Sequence, residues 1–297
     1  MELSLFSVSY AGYWGQDSLD AVGFVEKAAQ LGYSTIMLAG KRPHGSPLDM
    51  DDESIGQLRE VLERAGVRCG VMAGYTDFGG QVAAEVPFLE MQIRYVEELC
   101  RIGQQLGASV CRVFTAYEVD GVSPHATWAQ SVQCLQECCD RAADYGITIA
   151  IQNHHDVAVD SDALLEFLHD VDRPNCRLGA DAWSPALRGE DLYEAARKLA
   201  PHTAITTSAD YVRLPRFRYR PELISYESTS ADLVRAVPFG SGFIDYEAFF
   251  TGLREGGFDG IATFEMCSPV RGGGAIENLD RFAETYVAWM REHGFAV

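Results

Sequence analysis

Positive charge is scarce in this chain: 24 Lys and Arg face 43 Asp and Glu, for a formal net charge of −19. A surface with that balance repels phosphate backbones and anionic membranes, so neither nucleic acid nor a membrane is expected as a partner. No stretch of about eighteen apolar residues occurs, and no transmembrane helix is expected. The opening "MELSLFSVSY" lacks a basic region followed by an apolar run, so no signal peptide is expected either. The eight cysteines include no CxxC pair and mostly sit inside apolar runs, as free buried thiols of a reducing cytoplasm do. No linker or low-complexity segment divides the 297 residues, so one domain is expected over 1–297. The fingerprint GxGxxG does not follow the first apolar run, and "RGGG" at 271–274 lacks its spacing, which argues against a dinucleotide fold.

What the chain does contain is a repeated phrase: an amphipathic helix, a glycine, then a short run rich in Ile, Val, Phe, Met and Ala. It occurs as "AAQLGYSTIMLAG", "RAGVRCGVMAGY", "QQLGASVCRVFTAY", "AADYGITIAIQNH" and "REGGFDGIATFEM". The glycine suits a helix C-terminus, where a left-handed residue satisfies the last carbonyls. The runs that follow have the length and composition of buried parallel strands. "LSLFSVSY", "CRLGADAW" and "TAITTSAD" supply a first, sixth and seventh strand. Eight β–α units over this length predict an α/β fold, a (β/α)8 barrel. One long connection, about 212–244, separates strand 7 from the next helix and reads as a lid or binding loop.

In such a barrel the chemistry sits where strands end at their C-termini, and side chains alternate between interior and helices. Placing Ile147, Ile149 and Ile151 against the helices turns Gln152 and His154 inward. The same alternation turns Asp181 and Trp183 inward from the sixth strand, and Thr263, Glu265 and Cys267 inward from the eighth. Gln152, Asp181 and Glu265 therefore converge on one rim, with Thr207 contributed by strand 7. Two carboxylates and an amide carbonyl make a hard-oxygen pocket suited to Mn²⁺ or Mg²⁺.

At these residues the chain resembles the xylose-isomerase-like TIM barrels, the superfamily of sugar isomerases and epimerases. "GITIAIQNHHD" is similar to the family's "GVxLxxENH", and "VPFGSGFIDYEAFFTGLREGGFDGIATFE" to its "PLGEGxIDWxxxxxxLxxxGYDGxxxxE". "CRLGADAW" resembles the strand that carries the family's metal-binding Asp, and "LGASVCRVF" its fourth strand. The resemblance implies a metal held by Glu, Asp, His and Glu on strands 5 to 8. Carried over, the Asp is Asp181 and the last Glu is Glu265, while Gln152 stands at the strand-5 Glu. The family's "HxKD" falls on Thr207-Ser208-Ala209-Asp210, so two of the four ligand positions are changed. The family's epimerases are taken to use the two glutamates as paired bases flanking a carbon next to a carbonyl. Gln152 cannot be a base. One-base chemistry remains, with Glu265 taking the proton and His154 or His155, whose ordinary pKa lies near neutrality, as acid. That arrangement fits aldose–ketose isomerisation of a keto-sugar, cyclitol or related polyol, and also elimination from a keto-sugar or keto-glycoside.

Further residues are expected to bind substrate from the rim loops: Lys41, Arg42 and His44 in "AGKRPHGSP", Tyr75 and Asp77 in "GYTDF", Asp210, and Arg271 in "SPVRGGG". Arg112 in strand 4 faces the interior, where it needs a carboxylate partner. Trp183 beside Asp181 is placed to stack on a sugar face. In "RLPRFRYRP" the residues Arg213, Arg216, Arg218 and Arg220 interleave with Phe217 and Tyr219, which suits a lid or a subunit interface and leaves a homo-oligomer open. His125, His169, His202 and His293 are assigned no role. Two rival readings are weaker. Zinc-dependent abasic-site nucleases share the superfold but need many His ligands and a basic groove, against seven histidines and a charge of −19 here. A non-catalytic sugar-binding protein would explain the Gln and Thr departures but not the retained Asp181, Glu265 and "QNHHD".

Overall fold

The computed structural model describes residues 1–80 and 85–296. Seven parallel strands follow one another around a barrel: β1 (Glu2–Phe6), β2 (Thr35–Ala39), β3 (Arg68–Ala73), β4 (Val110–Val113), β5 (Thr148–Gln152), β6 (Cys176–Asp181) and β7 (Thr203–Ser208). Between β7 and the last barrel strand come two antiparallel pairs, β8 (Tyr211–Leu214) with β11 (Leu233–Ala236) and β9 (Phe217–Arg220) with β10 (Ser225–Ser228). β12 (Ile261–Phe264) then pairs with both β7 and β1 and closes the (β/α)8 barrel, with Leu5 opposite Phe264.

The outer ring is formed by α1 (Ala21–Gln30), α2 (Asp52–Ala65), α3 (Phe88–Leu106), α4 (Pro124–Ala143), α5 (Ser161–Val171), α6 (Trp183–Arg188), α7 (Leu192–Leu199), α8 (Tyr246–Glu255) and α9 (Ile276–Glu292). Aspartates open many of them: Asp20, Asp51, Asp160, Asp191 and Asp245 each accept a hydrogen bond from a first-turn N–H. Such a cap is worth about 1 kcal/mol. The repeated glycine closes them. Gly66 and Gly107 end α2 and α3 in the left-handed conformation and return their N–H groups to Glu63 O and Gln104 O. At these two helices the phrase read from the sequence is therefore a stop signal that turns the helix back into a strand.

Two apolar layers result. Ile149, Ile151, Leu178, Ala180 and Phe264 pack outward against the helices. Phe6, Met37, Val71, Val110, Ala150, Ile205 and Ile261 fill the barrel interior. This alternation fixes which way the strand ends point. Slipping β5 by one residue would pull Ile149 and Ile151 off the helices, at about 2 kcal/mol each, and swing Gln152 out of the interior.

The connection expected as a loop at 212–244 is a β-ribbon over most of its length, a correction with a simple cause. Arg alternating with an aromatic is the period-two pattern of a strand, and Tyr219 meets Tyr226 across the ribbon with ring centroids 5.2 Å apart. Its root packs on the barrel through buried Tyr211 and Ala236, while Phe217, Tyr219 and Tyr226 near its tip are exposed. Among the described residues no helix is long and apolar enough to cross a membrane.

Candidate active site

Gln152 and Asp181 are the last residues of β5 and β6, and Thr207 lies opposite Asp181 in the β6–β7 register. Glu265 follows β12 directly and extends the ladder through its N–H to Ser208 O (3.0 Å). All four are buried, with Glu265 retaining 9% exposure. The convergence expected from strand alternation is therefore present.

Its chemistry differs from the expected one at Gln152. Nε2 donates to Asp181 Oδ2 (2.8 Å) and to Thr207 Oγ1 (2.9 Å), so the amide presents its donor end. The reverse assignment would set a carbonyl against a carboxylate, two acceptors at hydrogen-bond distance. Gln152 Oε1 is left buried without a partner. Asp181 is tied from three further sides. Its Oδ1 accepts from Trp183 N–H (2.7 Å), and its backbone N–H and C=O exchange bonds with the Asn153 amide (2.8 and 3.0 Å).

This donor set does not fit a divalent ion. Both carboxylate oxygens of Asp181 already accept a hydrogen bond, Oδ2 from Gln152 and Oδ1 from Trp183 N–H, and Thr207 supplies a neutral hydroxyl where the family pattern has imidazole. Among the described residues, no group of three His, Cys, Asp or Glu side chains is placed to hold an ion. In this structure Gln152, Asp181 and Thr207 form a hydrogen-bonded amide–carboxylate–hydroxyl cluster beside a second carboxyl, Glu265.

Both acids are shifted toward neutrality. Burial pushes the Glu265 carboxyl up to about 7, with the Asp181 charge adding to it, while a hydrogen bond to Cys267 and the charge of Arg112 pull it back. Burial pushes Asp181 up to about 6 against hydrogen bonds from Trp183 N–H and Gln152. Cys267 is a neighbour of Glu265 that the sequence reading turned inward without giving it a role. Asn153, which fixes the Asp181 backbone, carried no signal in the sequence, because its partner is a main chain 28 residues away.

β5 stops at Gln152, so His154 and His155 lie on the turn beyond it, with His155 at φ 72°. His154 Nδ1 accepts the His155 backbone N–H (2.8 Å) and faces His155 Nδ1 at 2.9 Å. With His154 Nδ1 an acceptor, this bonding places a proton on His155 Nδ1 and leaves His154 with Nε2–H. Burial, aided by the charge of Arg112, lowers His154 to about 4, and burial lowers His155 to about 3. The expectation of a histidine titrating near neutrality is corrected: both rings are neutral donors. His155 stacks on Tyr117 (3.9 Å between centroids), and His154 lies 5.7 Å from Trp183. Trp183 opens α6 rather than extending β6. With both histidines it lines a cleft of about 510 Å³.

The rim residues separate into those that face the site and those committed elsewhere. Lys41 Nζ lies over the rings of Tyr75 (3.6 Å) and Tyr13 (4.3 Å). Arg112 crosses the interior to donate from Nη1 to Gly74 O (2.8 Å), and no carboxylate comes within ion-pair distance among the described residues. The partner expected for it is absent. Arg42 is turned away into a bidentate pair with Asp49 (both contacts 2.7 Å). His44 is buried against Phe24, its Nε2 3.0 Å from Leu19 O. Asp77 accepts the N–H groups of Gly79 and Tyr117 (both 3.1 Å), joining two loops. Asp210 accepts from Tyr211 and Gly242 N–H (2.9 and 2.7 Å) and anchors the loop before α8. In this structure all four side chains are engaged by partners within the protein. Arg271 is exposed in the turn after β12.

A family model described as xylose isomerase-like TIM barrel matches residues 25–293. Among solved structures, D-psicose 3-epimerase in the presence of D-fructose superposes with a TM-score of 0.75 at 16% identity, over 100% of both chains. The probable 3-DHS dehydratase AsbF of Bacillus anthracis gives 0.73 at 18% identity, over 97% of this chain and 99% of that one. A xylose isomerase domain protein of Planctomyces limnophilus gives 0.69 at 20% identity, over 98% and 95%. At these identities the likeness is one of fold. Comparison with curated protein sequences gives no match.

Proposed function

The chain belongs to the xylose isomerase-like TIM barrel family, and on that premise we propose that it is an enzyme moving a proton next to a carbonyl on a keto-sugar, cyclitol or related polyol, with Glu265 as its single base. The observation that carries this is a buried Glu265, pushed up to about 7 at the end of β12, on a rim where β5 ends in an amide, Gln152, bonded to Asp181. A carboxyl with that pKa takes and returns a proton near neutral pH with little penalty in either direction. Gln152 cannot complete a two-base epimerisation.

In the proposed reaction the Glu265 carboxylate removes the proton from the carbon beside the carbonyl. Electron density moves onto the carbonyl oxygen, where the neutral His154 donates a hydrogen bond from Nε2. Glu265 then returns the proton to the neighbouring carbon on the same face, and a hydroxyl proton passes between the two oxygens. The result is aldose–ketose isomerisation. Elimination is the second reading, favoured by Asp181: pushed up to about 6, it can hold the proton that a departing hydroxyl group takes. No step is assigned to a metal, because the donor set does not fit one. A cytoplasmic location belongs to the same reading, supported by eight cysteines that are all free thiols.

The test is proton exchange in D₂O, which needs no knowledge of the product. Keto-sugars and cyclitol ketones are incubated with the enzyme and loss of the signal next to the carbonyl is followed by ¹H NMR. Wild type is expected to exchange that proton, and Glu265→Gln to exchange it about 100-fold more slowly or worse. A Glu265→Gln protein that exchanges at the wild-type rate would remove Glu265 from the reaction.

A further inference from the structure

Arg112 is the largest fully buried side chain among the described residues, at 1% exposure, and it has no counter-ion. Charges are almost never buried this completely unless paired. Its one hydrogen bond goes to Gly74 O, and Nε has no partner. Around it stand aromatic faces: Phe114 at 4.1 Å, Tyr75 at 5.1 Å and Phe6 at 5.4 Å from the guanidinium carbon. Ring faces soften the loss of water but bring no negative charge. A second cation reaches the same ring, since Lys41 Nζ sits 3.6 Å from the centre of Tyr75 and likewise has no carboxylate partner among the described residues. The Tyr75 hydroxyl is also buried and unpartnered.

The barrel mouth is therefore divided. The ends of β5, β6 and β7 and the start of the turn after β12 carry Gln152, Asp181, Thr207 and Glu265. The loops after β2 and β3 and the side chain from β4 carry two cations and a phenol. Asp181 and Glu265 feel the charge of Arg112, yet neither reaches it as an ion pair.

We propose that Arg112, Lys41 and Tyr75 form an anion subsite, and that the substrate carries a carboxylate which this subsite holds while its carbonyl end faces Glu265. This rests on the proton-transfer reading and narrows it from polyols in general to hydroxy-carbonyl acids. Flat aromatic walls and a planar guanidinium suit a carboxylate. A phosphate group commonly draws on backbone N–H groups at a helix start or glycine-rich nest, which these three side chains do not supply.

Binding can be measured without turnover. Pyruvate, its neutral amide and inorganic phosphate are titrated by calorimetry into wild type, Arg112→Met, Lys41→Gln and Glu265→Gln. Lys41 is only half-buried, so its variant remains informative if Arg112→Met fails to fold. Wild type is expected to bind pyruvate at least about 10-fold more tightly than the amide, and either subsite variant to lose about 10-fold or more. Glu265→Gln is expected to bind pyruvate at least as well as wild type. Retained binding there combined with unchanged proton exchange would sink the base assignment and leave the subsite standing. Equal binding of pyruvate and its amide, no saturation into the high-millimolar range, or wild-type affinity in Lys41→Gln would each overturn the subsite. Phosphate binding far tighter than pyruvate would overturn the carboxylate assignment.

Discussion

Gln152 points its amide N–H at Asp181, with Nε2 2.8 Å from Oδ2, and leaves its carbonyl oxygen buried without a partner. The amide proton thus places a positive pole against Asp181 at the position where the family pattern brings a cation between two carboxylates.

Restoring the family's side chains should restore the cation. In the double variant Gln152→Glu, Thr207→His, a second carboxylate and an imidazole replace the amide and hydroxyl. Without metal, two carboxylates at hydrogen-bond distance should cost about 1–3 kcal/mol of stability at pH 8. With saturating Mn²⁺ the melting temperature of the double variant should rise by roughly 3–6 °C, while wild type stays within about 1 °C. Thermal unfolding with and without Mn²⁺ checks this. An equal rise in wild type would show that Gln152 and Thr207 serve as ligands after all.

Glu265 should make the protein less stable as pH rises. Its folded-state pKa of about 7 lies above the ordinary 4.5, so the folded form holds its proton where the unfolded chain has lost it. The contribution is complete below about pH 4.5 and is lost as pH climbs through 7. Glu265→Gln removes this dependence. The variant should gain on wild type between pH 5 and pH 8, by on the order of 2–3 kcal/mol at the upper end. Urea unfolding at the two pH values measures the difference. A gap that stays constant with pH would mean that Glu265 is ionised in the folded protein throughout.

Asp210 should prove structural. Its carboxylate holds the backbone N–H of Gly242, and a Cβ at Gly242 would lie 1.9 Å from Asp210 Oδ1. Asp210→Ala and Gly242→Ala should each cost about 2–4 kcal/mol, the first by stranding buried N–H groups and the second by overlap. Proton exchange by the folded fraction should remain within about 2-fold of wild type. A raised KM with unchanged stability in Asp210→Ala would return the residue to the substrate.

The barrel and the converging rim were legible because both follow from short-range periodicity. Ile149 and Ile151 commit one face of β5 to the helices, which leaves Gln152 no direction but inward. The same reasoning placed Asp181 and Glu265. What could not be read was which partner each polar rim residue takes. Arg42 is bound by Asp49, seven residues on, only because the loop after β2 folds back on itself. His44 is claimed by Leu19 O from another unit of the barrel. The histidine pKa values were out of reach for a related reason: burial and the charge of Arg112 both act through space.

The two hydrogen bonds between the Asn153 amide and the Asp181 backbone join the ends of β5 and β6 into one mechanical body. With Gln152 bridging to Thr207 as well, three strand ends form a stiff jaw. The opposite side of the mouth is built differently, since Lys41 rests on ring faces that offer no preferred direction of pull. Accommodation to molecules of different length should therefore fall on the Lys41 side chain, while the jaw that holds Asp181 keeps its shape.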